Sequence, residues 1–349
     1  MKEYISLLKS LIAVPSLSRN EQEAAQVIRR FLAGSGVEFE CNQHNTWVRN
    51  KHWKDGLPVI LLNSHIDTVK PASGYTRDPF SPDVENGVLY GLGSNDAGGP
   101  LVTLLAVFMH FCPMKDLPFN LIYAATAEEE ISGSNGLASI LEELGPLDLA
   151  IVGEPTKMQM AIAEKGLMVL DCTAHGKSGH AAREEGESAI YKAIADIEKI
   201  RNYRFEKVSD ILGPVKLSVT IINAGTQHNV VPDLCTFTVD VRTNEFYSNQ
   251  AAFAIVDQLI ESDVVPRSFR LNSSGIPVDH PIVQRGISLG LSYYGSPTTS
   301  DQAVIPYPSI KIGPGDSARS HTADEYILIS ELEEGFRIYV DLLSGLQLR

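Results

Sequence analysis

Five short stretches carry the side chains that could do chemistry. They are His65-Ile66-Asp67, Asp96 within Gly91-Leu92-Gly93-Ser94-Asn95-Asp96-Ala97-Gly98-Gly99, Glu128-Glu129-Glu130, Gly153-Glu154-Pro155-Thr156, and the loop from Gly313 to His321. Their donors are nitrogen and carboxylate, with no cysteine among them. Such ligands leave open positions on zinc, which a hydrolytic centre needs and a structural one does not. A carboxylate beside the metal can take a proton from water and return it to a leaving amine. In His65-x-Asp67 the two side chains share one face of a strand, so Asp67 can hold the far nitrogen of His65 and fix its tautomer. Each stretch alone has a plainer reading, as a solvent-facing histidine at a strand tip or as acids capping the helices that follow. That explains one such residue easily and four less well. The glycine-rich turn around Asp96 has neither Gly-x-Gly-x-x-Gly nor a Gly-Lys-Ser/Thr ending, which argues against a nucleotide site.

Strand ends must deliver these groups. Val59-Ile60-Leu61-Leu62, after Gly56 and Pro58, is an apolar run suited to a strand buried on both faces of a largely parallel sheet. Such sheets bind ligands at their strand ends. Runs over 121–125, 149–152 and 309–312 repeat the pattern ahead of the Glu128, Gly153 and Gly313 stretches. Helices are expected from Tyr4 to Pro15, after a Ser18-Arg19-Asn20-Glu21 capping box, over 101–111, and over about 330–346. Short strands are expected near 37–41, 46–49 and 88–90. Between them, residues 166–174, 188–201, 217–222, 235–242, 248–262 and 268–271 read as β-α-β-β-α-β, the order of a split βαβ layer. The expected architecture is α/β. A mixed, mostly parallel sheet flanked by helices is formed by 1–160 and 275–349, and a ferredoxin-like α+β domain, 161–274, is inserted in it.

Composition narrows the function classes. Twenty-nine Lys and Arg against 43 Asp and Glu give a net charge of -14, which disfavours a nucleic-acid backbone or an anionic membrane as partner. The four cysteines are far apart and read as reduced, mostly core residues. No apolar run has the length of a membrane span, and the start of the chain lacks a signal-peptide pattern, so the cytoplasm is the expected location.

In order and context, the five stretches resemble the motifs of the acetylornithine deacetylase and succinyl-diaminopimelate desuccinylase family of two-zinc hydrolases. The resemblance spans essentially the whole chain. It implies a zinc-exopeptidase fold, two Zn2+ ions replaceable by Co2+, and Asp96 bridging them. His65 and Glu154 would complete one ion's ligands, and Glu130 and His321 the other's, with Glu129 as general base and Asp67 orienting His65. In the inserted domain, Gly176-Lys177-Ser178-Gly179-His180 looks like the segment whose histidine reaches the scissile carbonyl. Asn229 and Arg242 look like its substrate contacts, although Arg242 could simply pair with an acid. A cis peptide at Asp96–Ala97 and a homodimer with His180 acting across it are further implications.

Two departures bear on the substrate. Ala97, Gly98 and Gly99 follow Asp96 where relatives carry Asp-x-Lys-Gly, and Glu164-Lys165-Gly166-Leu167 lacks the arginine that desuccinylases use. His44, His52, His110, His175, His228 and His280 have no motif and receive no role. The expected reaction is deacylation of a small N-acyl amino acid, first N-acetylornithine or N-succinylornithine in arginine biosynthesis. Succinyl-diaminopimelate desuccinylase, a di- or tripeptidase, and a non-catalytic metal-binding relative are the alternatives.

Overall fold

Alternation explains why the strand Val59–His65 is hidden on both sides. Ile60 and Leu62 enter one apolar cluster, with Leu104, Phe108 and Tyr339, whereas Leu61 enters another, with Trp47, Leu137 and Ile140. Asn120–Thr126 and Leu149–Val152 divide their side chains in the same way. All these core positions are buried, which accounts for continuous rather than alternating apolar runs.

The computed structural model describes residues 1–348. The chain divides into two compact units. One comprises Met1–Ile162, Gly275–Tyr294 and the segment from Ser300 onward; the other comprises Ala163–Ser274 and Gly295–Thr299. In the first, six neighbouring strands of a nine-stranded sheet run in the order Glu40–Asn42, Asn45–Arg49, Asn120–Thr126, Val59–His65, Leu149–Val152, Ser309–Lys311. The last four of these are parallel and Asn45–Arg49 is antiparallel to its neighbour. Parallel strands bring their carboxyl ends to one edge, so His65, the Glu128 turn, Glu154 and the Gly313 loop all leave the sheet there. Helices Lys2–Ile12, Gln22–Gly34, Gly99–Phe111 and Ile329–Leu343 contribute to the larger cluster. Among the described residues no helix is long and apolar enough to cross a membrane.

The second unit has a four-stranded antiparallel sheet ordered Lys216–Ala224, Leu234–Thr243, Gly166–His175, Asp263–Pro266. Helices Ala189–Asn202 and Asn249–Leu259 share its core through Ala189, Ala193, Ala252 and Val256. This is the expected β-α-β-β-α-β order, but the last strand is not at 268–271. The second helix stops at Leu259, which frees Val264 and Val265 to pair with Cys172 and Asp171. Only Leu271 of the expected segment bridges, to Leu167.

A second correction concerns Ser18 and Glu21. The helix Gln22–Gly34 has no side-chain cap, because the Ser18 hydroxyl donates to Asp67 and Glu21 accepts from the Arg19 amide. The first short strand is Glu40–Asn42 rather than 37–41.

Candidate active site

His65 ends its strand with Nδ1 donating to the backbone oxygen of Asp67 at 2.9 Å. A carbonyl only accepts, so Nδ1 carries the hydrogen and Nε2 is left to face outward. Nε2 lies 3.3 Å from Asp96 Oδ1, 3.7 Å from Glu154 Oε1 and 4.0 Å from Glu129 Oε2. On the other side of Asp96, His321 Nε2 is 3.7 Å from Oδ2 and 3.0 Å from Glu130 Oε2. The two oxygens of Asp96 therefore face two different imidazoles. Two donor sets, His65 with Asp96 and Glu130, and His65 with Glu129 and Glu154, each lie within 4.8 Å of one another.

Asp67 does more, and something other, than orient His65 with its carboxylate. Its Oδ1 is 3.4 Å from Nδ1, while the closer contact uses its main chain. The carboxylate accepts from the Glu129 amide at 3.0 Å, the Glu130 amide at 3.1 Å and the Ser18 hydroxyl at 2.7 Å. It thus fixes the turn that aims Glu129 and Glu130. Burial opposes its charge, but His65, Ser18 and the Glu129 amide outweigh burial and hold its carboxyl below the usual range.

Glu325, which the sequence reading passed over, has the matching task for Asp96. It is buried and accepts from the amides of Gly93 at 3.0 Å and of Asn95 and Asp96 at 2.9 Å. Burial, and then the charge of Asp96, bring its carboxyl to about 7. Nothing in Thr322-Ala323-Asp324-Glu325 signals burial by periodicity; only nearness to His321 could have drawn attention to it. Asn95 ties this loop to the His321 loop, donating to the Asp316 carbonyl at 3.1 Å and accepting the Asp316 amide at 3.0 Å. The Asp96–Ala97 peptide is cis.

The donor set fits divalent cations. Burial, then repulsion from neighbouring carboxylates, raises Glu154 to about 8 and pushes Glu129 well above the carboxylate range. The Glu130 hydrogen bond holds His321 as imidazolium up to about 9; for His65, burial is overcome by Asp67 and Asp96. Without a cation these groups must retain protons to coexist. A cation between imidazole lone pairs and carboxylates removes that need.

The remaining expected residues lie in the second unit. His180 is exposed on a two-residue strand, Gly179–His180, paired with Val230–Val231, and its Nδ1 accepts the Ala182 amide at 3.1 Å. Asn229 extends that pairing through its backbone carbonyl, which accepts from the Ala181 amide at 3.0 Å. Arg242 pairs with Asp240, two residues away on its own strand, at 2.9 Å and 3.1 Å, and with Thr299 Oγ1 at 3.3 Å. Lys216 is its cross-strand partner, and both cations act on Lys165, whose ammonium is shifted down first by burial and then by their charge.

Comparison with known proteins bears on the family and the fold. The description Peptidase family M20/M25/M40 matches residues 61–345. The succinyl-diaminopimelate desuccinylase of Wolbachia pipientis subsp. Culex pipiens (strain wPip) is 26% identical over 371 residues, covering 98% of this chain and 92% of the relative. That of Stenotrophomonas maltophilia (strain K279a) is 25% identical over 376 residues, covering 99% and 100%. Among solved structures, aminopeptidase PepT from Bacillus cereus superposes with TM-score 0.79 at 19% identity, covering 98% and 97%. The YXEP protein of Bacillus subtilis, described as a dinuclear metal-binding peptidase, gives 0.73 at 17% identity, covering 100% and 99%. These likenesses establish the zinc-exopeptidase type of fold.

Proposed function

The chain belongs to peptidase family M20/M25/M40 as a metal-dependent amidohydrolase, and from that premise we propose that it removes a succinyl group from the nitrogen of an amino acid. The carrying observation for the chemistry is the convergence of His65, Asp96, Glu130, Glu154 and His321 around shared space at parallel strand ends, with Glu129 beside them. Asp96 would hold both cations, His65 and Glu154 one of them, and Glu130 and His321 the other. When bound, two zinc ions polarise an amide carbonyl and acidify a water.

The chain's own residues do the rest. Glu129 accepts the water's proton and delivers it to the departing amine nitrogen, so its carboxylate must be free at the start of the cycle. Asp67 holds Glu129 at the correct height through its amide, and Glu325 does so for Asp96. His180 is the group assigned to the developing oxyanion, and Arg242 and Asn229 to the substrate.

The preference for succinyl over acetyl rests on two supports. The curated relatives just described bear the desuccinylase name. The second unit also gathers Lys165, Lys216 and Arg242, with the Asp240 carboxylate and the Thr299 hydroxyl on Arg242 and the Pro214 carbonyl accepting from Lys165, a cationic cluster that suits a dicarboxylic acyl group. A panel of N-acetylornithine, N-succinylornithine and N-succinyl-diaminopimelate, assayed with zinc and then cobalt, tests the reading. Both succinyl compounds are expected to exceed the acetyl one in kcat/KM by at least about tenfold, or about 1.4 kcal/mol of transition-state binding. Faster acetyl release restores the deacetylase reading, and turnover of only di- or tripeptides makes the protein a peptidase.

A further inference from the structure

The turn that carries Glu129 is held by more than Asp67. Four consecutive backbone amides, those of residues 127 to 130, each meet a side-chain acceptor. Ala127 donates to Asn45 Oδ1 at 2.9 Å, Glu128 to Glu21 Oε1 at 3.2 Å, and Glu129 and Glu130 to the two oxygens of Asp67 at 3.0 Å and 3.1 Å. Glu128 sits at φ 56°, a left-handed conformation that a non-glycine residue keeps only where its surroundings impose it.

Glu21 is the least expected member of this set. It is only 1% exposed and lies 107 positions before Glu128 in the chain. Its Oε1 also accepts the Arg19 amide at 2.7 Å, and its Oε2 takes His44 Nδ1 at 2.9 Å. Glu21 belongs to neither set of metal donors; its carboxylate is taken up by the Arg19 and Glu128 amides and by His44. Its neighbour in the same link, Ser18, donates to Asp67 at 2.7 Å. The link between the first two helices therefore reaches the turn twice, directly through Glu21 and by way of Asp67 through Ser18.

We propose that Glu21, backed by His44, is a positioning residue for the general base, fixing the Glu128 amide so that Glu129 keeps its place beside the metal donors. This rests on the assignment of Glu129 above, but one arm of the test does not. In Glu21→Ala the turn loses one of its four anchors. Amide hydrogen exchange in a peptide spanning residues 126–135 of the metal-free full chain is expected to quicken about tenfold, with the strand 59–65 unchanged. On the zinc-loaded protein, kcat is expected to fall about 10- to 100-fold with KM within about threefold, because misplacing a catalytic group penalises the chemical step.

Glu21→Gln keeps an oxygen for the Glu128 amide and an amide that can donate to His44, so it recovers most of the loss. If Glu21→Ala does not fold, Glu21→Asp, which shortens the reach by one methylene, gives the same signature in weaker form. Unchanged exchange and kcat in the alanine variant overturn the proposal. So does faster exchange across the whole chain with Gln no better than Ala, which is a purely structural role. Wild-type protein inactive on the entire substrate panel defeats the functional reading, and the exchange arm still decides whether Glu21 holds the turn.

Discussion

Glu129 is the residue on which the chemistry turns, and its environment says how a change there should read out. Its amide is fixed by Asp67, and its carboxylate stands 4.0 Å from His65 Nε2, further than Asp96 or Glu154. Glu129→Gln preserves shape and the backbone anchor but removes the proton acceptor. Metal content is expected to remain at two ions per chain, while kcat drops about 10²- to 10⁴-fold. Elemental analysis alongside steady-state kinetics checks both halves, and near-normal turnover places the base elsewhere. Treatment with a chelator is expected to abolish activity, with recovery on adding zinc, since the five proposed ligands include no group that could substitute for the cation. Residue types marked the five stretches in the sequence, and the ligand roles proposed for them came from the family resemblance. The anchors were not so marked: Ser18 and Glu21 have the spacing of a helix cap, yet the fold uses them 49 and 107 positions away.

Elements were legible where a physical period dominates. Apolar runs marked the parallel strands, because burial on both faces demands them, and alternation marked Gly166–His175 and Leu234–Thr243, whose outer faces are less buried. The final strand of the second unit was misplaced because Asp263-Val264-Val265-Pro266 is too short to show a period. What fixes its start is instead a buried carboxylate. Asp196, within the helix Ala189–Asn202, accepts from the Glu261 amide at 3.1 Å, the Ser262 amide at 2.8 Å and the Ser262 hydroxyl at 2.7 Å, ending the helix Asn249–Leu259 and launching the strand. Burial pushes its carboxyl up, and Ser262, the two amides and Lys199 pull it further down, so the net shift is downward. A depressed folded pKa contributes stability that is fully present above the unfolded value of about 3.9 and is lost as pH falls through the folded value. Asp196→Asn leaves amide donors facing an NH2 group and is expected to cost about 2 to 4 kcal/mol at pH 7. Urea unfolding of the full chain should show that cost shrinking between pH 5 and pH 2, and a pH-independent difference would count against the charge having a role.

At the scale of the whole molecule, the metal donors and His180 belong to different units of the chain. His180 is exposed, on a short two-stranded ladder rather than in a core. The same unit ends its sheet with Lys216–Ala224, an edge strand on which Ile221 and Ile222 are each 51% exposed. Edge strands with unpaired main chain and apolar side chains are templates for association, and a closed two-fold dimer is the commonest way to satisfy one. The expectation is a homodimer in which His180 of each chain serves the other chain's metal centre. Mixing His180→Ala protein with Glu129→Gln protein separates this arrangement from its alternative. In a mixed dimer with exchange between chains, the His180→Ala protomer still has Glu129 and receives His180 from its neighbour, so one of the two sites is whole. Equal random mixing makes half the dimers mixed, and activity should return to about a quarter of wild type from two nearly inactive parents. If His180 acts within its own chain, every site in every dimer lacks one of the two groups, and the mixture stays as inactive as its parents. Native mass spectrometry must show that mixed dimers have formed; once it does, absence of recovered activity assigns His180 to its own chain or removes it from the reaction.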